Sequence, residues 1–127
     1  MPIKVVDASA LGALAFGEPE ANAVAETLEG APLAAPSLLW FEMASICRKK
    51  IVVHPEIRQQ LLAAFGRATR LPIRISVVDH EKIVALAEET GLTTYDASYL
   101  WLTSILHGEL VTLDKELKKV ASTIIEA

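Results

Sequence analysis

Apolar positions along the chain follow two different periods, and these periods predict where strands and helices lie. Short β-branched runs and alternating apolar runs indicate buried strands. Pro32 and Pro36 bracket a further, brief extended segment. The sequence therefore predicts strands at residues 3–6, 32–36, 73–77, 110–113 and 123–125.

Between these strands, apolar residues recur every three or four positions, which is the spacing of amphipathic helices. Ser37 and Asp79 are good N-cap residues for two of these helices, and Gly30 and Gly91 are stop signals. One side of the helix that follows Pro55 is predicted to carry Ile57, Leu61, Leu62 and Phe65. The predicted helices cover residues 8–16, 19–29, 38–50, 56–71, 80–90, 94–108 and 115–120.

The order of these elements predicts the fold. Strands separated by one or two helices need crossover connections, so we expect a mainly parallel central sheet with helices on both faces. This is an α/β fold with three layers, α/β/α. Ligands of such sheets bind beyond the carboxyl ends of the strands. That rule singles out Asp7, at the end of the first predicted strand, and Asp114, just after a later one.

Composition agrees with this fold and bounds its size. The 127 residues suit a single domain, predicted to span residues 1–127. Hydrophobic residues make up 52% of the chain and few are aromatic, so Ala, Leu, Ile and Val must form most of the core. The lone Cys47 is expected to be buried and unpaired. Without a secretory signal or a membrane-length apolar stretch, the sequence indicates a reducing cytoplasm and no membrane contact.

The net charge of −4 argues against a protein that binds nucleic acid mainly by electrostatic attraction, because such proteins usually carry a strong positive excess. The charge is compatible with nucleic-acid chemistry if several acids share one pocket while basic residues lie elsewhere. Candidate RNA-binding residues end one predicted helix, at Arg48, Lys49 and Lys50, and further arginines follow at positions 58, 67, 70 and 74. The alternative is that these residues merely suit a helix C-terminus and a solvated helix face.

Two further acids lie in apolar surroundings. Glu42 is in the middle of a predicted helix whose neighbouring residues are apolar or small, and Asp96 is in the first turn of another apolar helix. Burying an unpaired charge costs several kcal/mol, so such a carboxylate must be protonated, paired with a base or bound to a cation.

Each of the four acids also has a purely structural explanation. Asp7 and Asp114 can act as N-caps of the helices that follow them. Asp96 can be favoured by the macrodipole of its helix. Glu42 can pair with a base such as Arg48 or Lys49.

If the four acids act together, the chemistry is that of a hard divalent cation. Mg²⁺ and Mn²⁺ prefer carboxylate and water oxygens, whereas no pattern of Cys and His in the chain indicates zinc. One or two such ions can activate water for in-line attack on a phosphodiester. Ser9 and Thr112, close in sequence to two of the acids, are candidate accessory hydroxyls that hold metal-bound waters, or else ordinary helix-start and strand residues.

Four sequence elements, in the same order, resemble the PIN domain of the VapC toxin type over nearly the whole chain. Residues 5–11, VVDASAL, resemble the family's first strand with its Asp-x-Ser element. Residues 35–50, APSLLWFEMASICRKK, resemble the helix that carries a single Glu. Residues 91–117, GLTTYDASYLWLTSILHGELVTLDKEL, resemble the tyrosine–aspartate pair followed by the Thr-Leu-Asp turn. Each match is short, but the four in order are specific.

The resemblance implies a metal-dependent endoribonuclease, with RNA as substrate and Mg²⁺ or Mn²⁺ as cofactor. It also implies a homodimer and a cognate antitoxin protein that blocks the site, as in a VapBC pair. By resemblance, Ser9 is an accessory polar residue, and Trp101 and Thr103 depart slightly from the small residues that the family often has there. The metal-binding and catalytic acids that it implies are Asp7, Glu42, Asp96 and Asp114.

Two other functions are compatible with an acid after the first strand. One is a phosphoaspartate protein, either a receiver domain or a phosphatase of the haloacid-dehalogenase type. A phosphatase of that type would need Asp-x-Asp where residues 7–9 read Asp-Ala-Ser, and a receiver would need a paired acid beside the first strand. The other is a catalytically silent interaction module on the same fold. Retention of all four acids argues against this module.

Overall fold

The computed structural model describes residues 1–125, in which strands alternate with helices. The strands are β1 Lys4–Val6, β2 Leu33–Pro36, β3 Ile73–Ser76 and β4 Glu109–Val111. The helices are α1 Ala8–Ala15, α2 Ala21–Leu28, α3 Leu38–Val53, α4 Arg58–Thr69, α5 His80–Thr90, α6 Thr94–Ile105 and α7 Lys115–Ile125, with a 3₁₀ turn at Pro55–Ile57.

The four strands form one parallel sheet in the order β3-β2-β1-β4. In the centre of this sheet, Val5 lies opposite Ala34 on one side and Leu110 on the other. Every connection between strands contains helices, as the crossover argument requires. The predicted three-layer α/β/α fold is confirmed. Because all four strands run in the same direction, the segments that follow β1 and β4 begin at the same edge of the sheet.

The main hydrophobic core lies between the sheet and the helices that cover it. Val5 and Val6 of β1 are fully buried, and Leu39 of α3 and Tyr99 of α6 pack into the same cluster. A second cluster fills the space between α5, α6 and α7, and it consists of Ile83, Leu92, Ala97, Leu100, Leu117 and Ala121. Packing in these two clusters fixes the position of the start of α6 relative to the carboxyl edge of the sheet.

Helices α1 and α3 approach each other closely at a glycine. A Cβ atom added at Gly12 would lie 3.2 Å from Cδ1 of Ile46, so the α1–α3 contact leaves little room for a larger residue there. The next residue of α3, Cys47, is buried, as predicted, with its Sγ 3.8 Å from the carbonyl oxygen of Leu61. Burial raises the pKa of the Cys47 thiol.

The predicted strand at residues 123–125 is wrong, because these residues form the last turn of α7. The apolar spacing of a helix continues through Leu117, Ala121 and Ile124. Leu117 and Ala121 are buried in the second core cluster, and the Thr123 hydroxyl donates to a carbonyl one turn earlier at 3.2 Å. Packing of the helix face therefore outweighs the strand propensity of the β-branched residues at its end.

The predicted apolar face of α4 is only partly correct. The buried residues of this helix are Leu61, Ala64 and Ala68. Ile57 and Leu62, which were expected on the same face, are exposed. Small alanine side chains allow α4 to lie close to its neighbours, and this geometry leaves the larger aliphatic side chains at the edge of the contact.

Candidate active site

Asp7 lies directly after β1 and caps the N-terminus of α1. Only 5% of the residue is exposed. Its Oδ1 accepts hydrogen bonds from the Ala10 backbone N–H at 3.0 Å and from the Ser9 hydroxyl at 2.7 Å, and its Oδ2 accepts from the Thr112 hydroxyl. The carboxylate is therefore held in one orientation by the first turn of α1 and by the segment that follows β4.

Two hydroxyl groups join Asp7 to the turn between β4 and α7. The Thr112 hydroxyl accepts the backbone N–H of Asp114 at 3.0 Å, and the Ser9 hydroxyl accepts the backbone N–H of Leu113 at 2.9 Å. The Oδ1 of Asp114 in turn accepts a backbone N–H in the first turn of α7 at 2.9 Å. Ser9 and Thr112 thus contact the Asp7 carboxylate directly, and Asp114 is an N-cap whose position depends on this turn.

Glu42 lies in the middle of α3 and is half-buried. Its Oε1 accepts a hydrogen bond of 2.7 Å from the hydroxyl of Tyr99 on α6. In the part of the chain that the structure describes, neither Arg48 nor Lys49 forms an ion pair with Glu42. The carboxylate therefore has a hydroxyl donor and no basic partner.

Asp96 lies in the first turn of α6, which begins after the N-cap Thr93. The Thr93 hydroxyl accepts the backbone N–H of Asp96 at 3.1 Å, so the capping interaction leaves the Asp96 carboxylate available to the surface. Asp96 and Tyr99 are three positions apart and therefore lie on one side of the helix. That side faces Glu42 and Asp7.

The structure brings all four candidate acids together around one cavity of about 280 Å³ at the carboxyl edge of the sheet. Its lining residues are Asp7, Ala8, Ser9, Glu42, Ser45, Ile46, Lys49, Asp96, Tyr99 and Asp114. Among residues 1–125, no ion pair involves any of the four acids. Within the same residues, no three acidic, histidine or cysteine side chains are close enough to hold one metal ion without side-chain movement. The cavity thus supplies hard oxygen ligands, but its carboxylates must converge to hold an ion.

The electrostatics of the cavity are those of crowded carboxylates. Burial raises the pKa of Asp7, and the negative charge of Asp114 adds to this effect, although the hydrogen bonds to Asp7 oppose it. Burial likewise raises the pKa of Glu42 and of Asp96, with a further contribution from the other acids. The pKa of the Tyr99 hydroxyl is raised by burial and by its hydrogen bond to Glu42, so this hydroxyl remains a donor.

Burial of Asp96 and its repulsion by the other acids predict that Asp96→Asn stabilises the protein in EDTA. The pKa of Asp96 in the folded protein is raised above its ordinary value of 3.8. Protonation of Asp96 therefore stabilises the fold. This stabilisation is complete below pH 3.8 and is lost as the pH rises through the folded-state pKa. The asparagine side chain is neutral at every pH, so the variant does not lose stability in this way. We expect it to be more stable than the wild type by up to about 1 kcal/mol at pH 8, after allowance for solvent screening. The difference shrinks as the pH falls through the folded-state pKa of Asp96.

Urea unfolding at a series of pH values from 8 down to about 4 measures this effect. Asp79→Asn is the matched control, because Asp79 is an exposed N-cap of α5 that does not line the cavity. A destabilised Asp96→Asn variant at pH 8 would show that the Asp96 charge is not repelled in the fold.

The three predicted RNA-binding residues have different surroundings. Lys49 is exposed and lines the acidic cavity. The ammonium group of Lys50 forms an ion pair with Glu18 and lies 5.7 Å from the centre of the Phe16 ring, so it is already engaged. Arg48 lines a different cavity, between α3 and α4. Of the three, Lys49 is therefore the one beside the four acids.

Sequence reasoning missed Tyr99 as a member of this site. The signal that could have found it is its spacing, since Tyr99 follows Asp96 by three positions in a helix. Ser45 and Ile46 were also missed, and they follow Glu42 by three and four positions. The residues that share a helix face with a candidate acid therefore complete the lining of the cavity.

The fold and the cavity together define an α/β protein with an acidic site at the carboxyl edge of a parallel sheet. A comparison with family models matches the PIN domain over residues 4–122, so the chain belongs to the PIN domain family. Members of this family are generally nucleases that act on RNA, and they typically depend on a divalent metal. In a comparison with curated proteins, no sequence matches the chain.

The chain is also similar to a solved structure, the crystal structure of PAE2754 from Pyrobaculum aerophilum. The two share 23% sequence identity with a TM-score of 0.78, and the alignment covers 98% of this chain and 93% of that one. At this level of identity, the likeness shows the fold.

Proposed function

We propose that this protein is a metal-dependent endoribonuclease, a hydrolase that cuts phosphodiester bonds within RNA. The observation that carries the proposal is the cavity in which four carboxylates meet without an ion-paired base in the described residues. The natural partner of such a group is a hard cation from solution, Mg²⁺ or Mn²⁺. The residues proposed to bind it and to support catalysis are Asp7, Glu42, Asp96 and Asp114.

The four acids differ in how far their carboxylates can move towards an ion. Asp7 is fixed by its hydrogen bonds and offers a rigid point of attachment. Glu42 and Asp96 are only half-buried, so their side chains can turn towards an ion that binds beside Asp7. Asp114 keeps Oδ2 without a hydrogen-bond partner in residues 1–125, and this atom remains for a ligand.

The chemistry divides between the cation and the protein. When bound, the cation stabilises negative charge on the phosphate oxygens and lowers the pKa of an attacking water. Ser9 and Thr112 orient the Asp7 carboxylate, and Tyr99 orients that of Glu42. Lys49, on the rim, is placed to attract the RNA phosphates towards an otherwise negative cavity. Arg48 and the paired Lys50 are expected to contribute less.

A metal-dependence assay tests the activity. We expect the purified protein to cleave single-stranded RNA in Mg²⁺ or Mn²⁺ and to lose this activity in EDTA, with recovery when the metal is returned in excess. Activity that persists in EDTA would point to a contaminating nuclease. The absence of cleavage with either metal, although the protein is folded, would favour the catalytically silent module.

We further propose that the chain is the toxin of a VapBC-type pair, that it acts as a homodimer in the cytoplasm, and that a cognate antitoxin covers the site. The support is the ordered resemblance along residues 5–117 and the match over nearly the whole chain. Within residues 1–125, no helix has the length and apolar character needed to cross a membrane. Co-expression with a small DNA-binding protein encoded beside it, followed by co-purification and a cleavage assay, tests the pairing.

A further inference from the structure

A second cavity lies beside the acidic one, at the carboxyl ends of β2 and β3. It has a volume of about 180 Å³ and is enclosed by the starts of α3, α5 and α6. This is smaller than the roughly 300–1,000 Å³ of pockets that enclose a drug-sized molecule. The second cavity can therefore hold one small chemical group. Its lining includes Ser37, Leu38, His80, Ile83 and Tyr95.

The two cavities are built on the same two helices. On α6, Tyr95 lines the second cavity, and the adjacent Asp96 lines the first. On α3, Leu38 lines the second cavity, and Glu42, four positions later, lines the first. One turn of an α-helix advances about 5.4 Å. The residues that line the two cavities are therefore about one helical turn apart along α3 and adjacent along α6.

The chemistry of the second cavity suits a flat, partly polar ring. Tyr95 is 60% exposed although it lies in the first turn of a helix whose later residues are buried. Leu38 and Ile83 supply an apolar surface, while His80 and Ser37 add polar groups. The Ser37 side chain makes no capping hydrogen bond to α3, so its hydroxyl is available to a ligand. A nucleobase has this combination of a π face and a polar edge.

We propose that this second cavity binds the nucleobase next to the scissile phosphate, with the base stacked on the ring of Tyr95. The inference rests on the proposed ribonuclease activity for the identity of the ligand. It adds to that activity a binding site for one unpaired base, since a base inside a duplex cannot enter the cavity.

A binding assay with a short single-stranded oligoribonucleotide that contains 2-aminopurine tests the proposal. The full chain is used in EDTA at low ionic strength, so that binding is measured without cleavage. Stacking on Tyr95 should quench the fluorescence of the 2-aminopurine. Tyr95→Ala should weaken binding about 5- to 100-fold, which is the effect of losing one base–aromatic stack, and should remove the quenching. Tyr95→Phe keeps the ring and should retain both.

Phe41→Ala is the matched control, because Phe41 is an exposed aromatic residue, 76% exposed, that lines neither cavity. This variant should bind like the wild type. The proposal is overturned if Tyr95→Ala binds and quenches normally, if Phe41→Ala loses as much affinity, or if the wild type does not bind the oligonucleotide.

A parallel cleavage assay in Mg²⁺ separates this inference from the proposed function. Quenching that depends on Tyr95, together with no cleavage by the wild type, would support the base site and contradict the nuclease. Cleavage by the wild type with no effect of Tyr95→Ala on binding would support the nuclease and contradict the base site.

Discussion

Replacing Asp7 with asparagine is expected to reduce metal-dependent RNA cleavage by at least about 10²- to 10³-fold, which is the scale for losing one preorganised electrostatic group in an active site. The substitution removes the charge of the most buried of the four acids. Asparagine has nearly the same shape, and its Oδ1 can still accept from the Ser9 hydroxyl and the Ala10 backbone N–H. The fold and the helix cap should therefore survive.

Steady-state cleavage of single-stranded RNA at saturating Mg²⁺ measures the loss, and urea unfolding shows whether the variant is folded. Asp79→Asn is the control for this substitution. Asp79 is an Asp N-cap at the start of α5 that does not line the acidic cavity, so this variant should cleave RNA normally. If Asp7→Asn retains more than about a tenth of the wild-type activity, Asp7 does not bind the catalytic metal.

The placement of Asp7 and Asp114 could be predicted from the sequence because it follows from topology. A strand that stops at Asp7 and a later strand that stops before Asp114 must end at the same edge if both belong to a parallel sheet. In the structure, β1 and β4 are adjacent and parallel, and both acids line one cavity. This prediction needs only the approximate position of each strand. It holds although β4 ends at Val111 rather than at residue 113.

The contacts that orient the acids could not be predicted in the same way. Thr112 and Asp7 are 105 positions apart, and Tyr99 and Glu42 are 57 positions apart. No local pattern encodes which hydroxyl meets which carboxylate over such separations, because the pairing depends on how the helices pack. Ser9 was identified from the Asp-x-Ser element, but its contact with the turn after β4 depends on the sheet order.

The errors in the fold have a related cause. Residues 123–125 have high strand propensity, yet they extend α7 because the helix face beneath them is already buried. Leu62 of α4 is exposed, whereas the smaller Ala64 is buried. In both cases the local sequence favours one structure, and the packing of a neighbouring element outweighs that preference.

The hydroxyl of Thr112 provides a second test with a large expected effect. Thr112→Val keeps the shape of the side chain but removes the donor to Asp7 and the acceptor for the Asp114 backbone N–H. Losing a group that orients a metal-binding residue typically lowers metal affinity or activity by about 10- to 100-fold. We therefore expect cleavage by Thr112→Val to require correspondingly more Mg²⁺. Stability should also fall by about 1–3 kcal/mol, because the buried Asp7 carboxylate and the partly buried Asp114 N–H each lose a hydrogen-bond partner.

Thr103→Val is the matched control for this substitution. Thr103 is also a buried threonine, but its hydroxyl donates to the backbone carbonyl of Tyr99 at 2.8 Å and does not contact the acids. Both variants should lose stability in urea unfolding, whereas only Thr112→Val should shift the Mg²⁺ titration of RNA cleavage. Equal titrations for the two variants would mean that Thr112 supports only the turn between β4 and α7. A shift specific to Thr112→Val would instead show that the orientation of the Asp7 carboxylate sets the affinity for the metal.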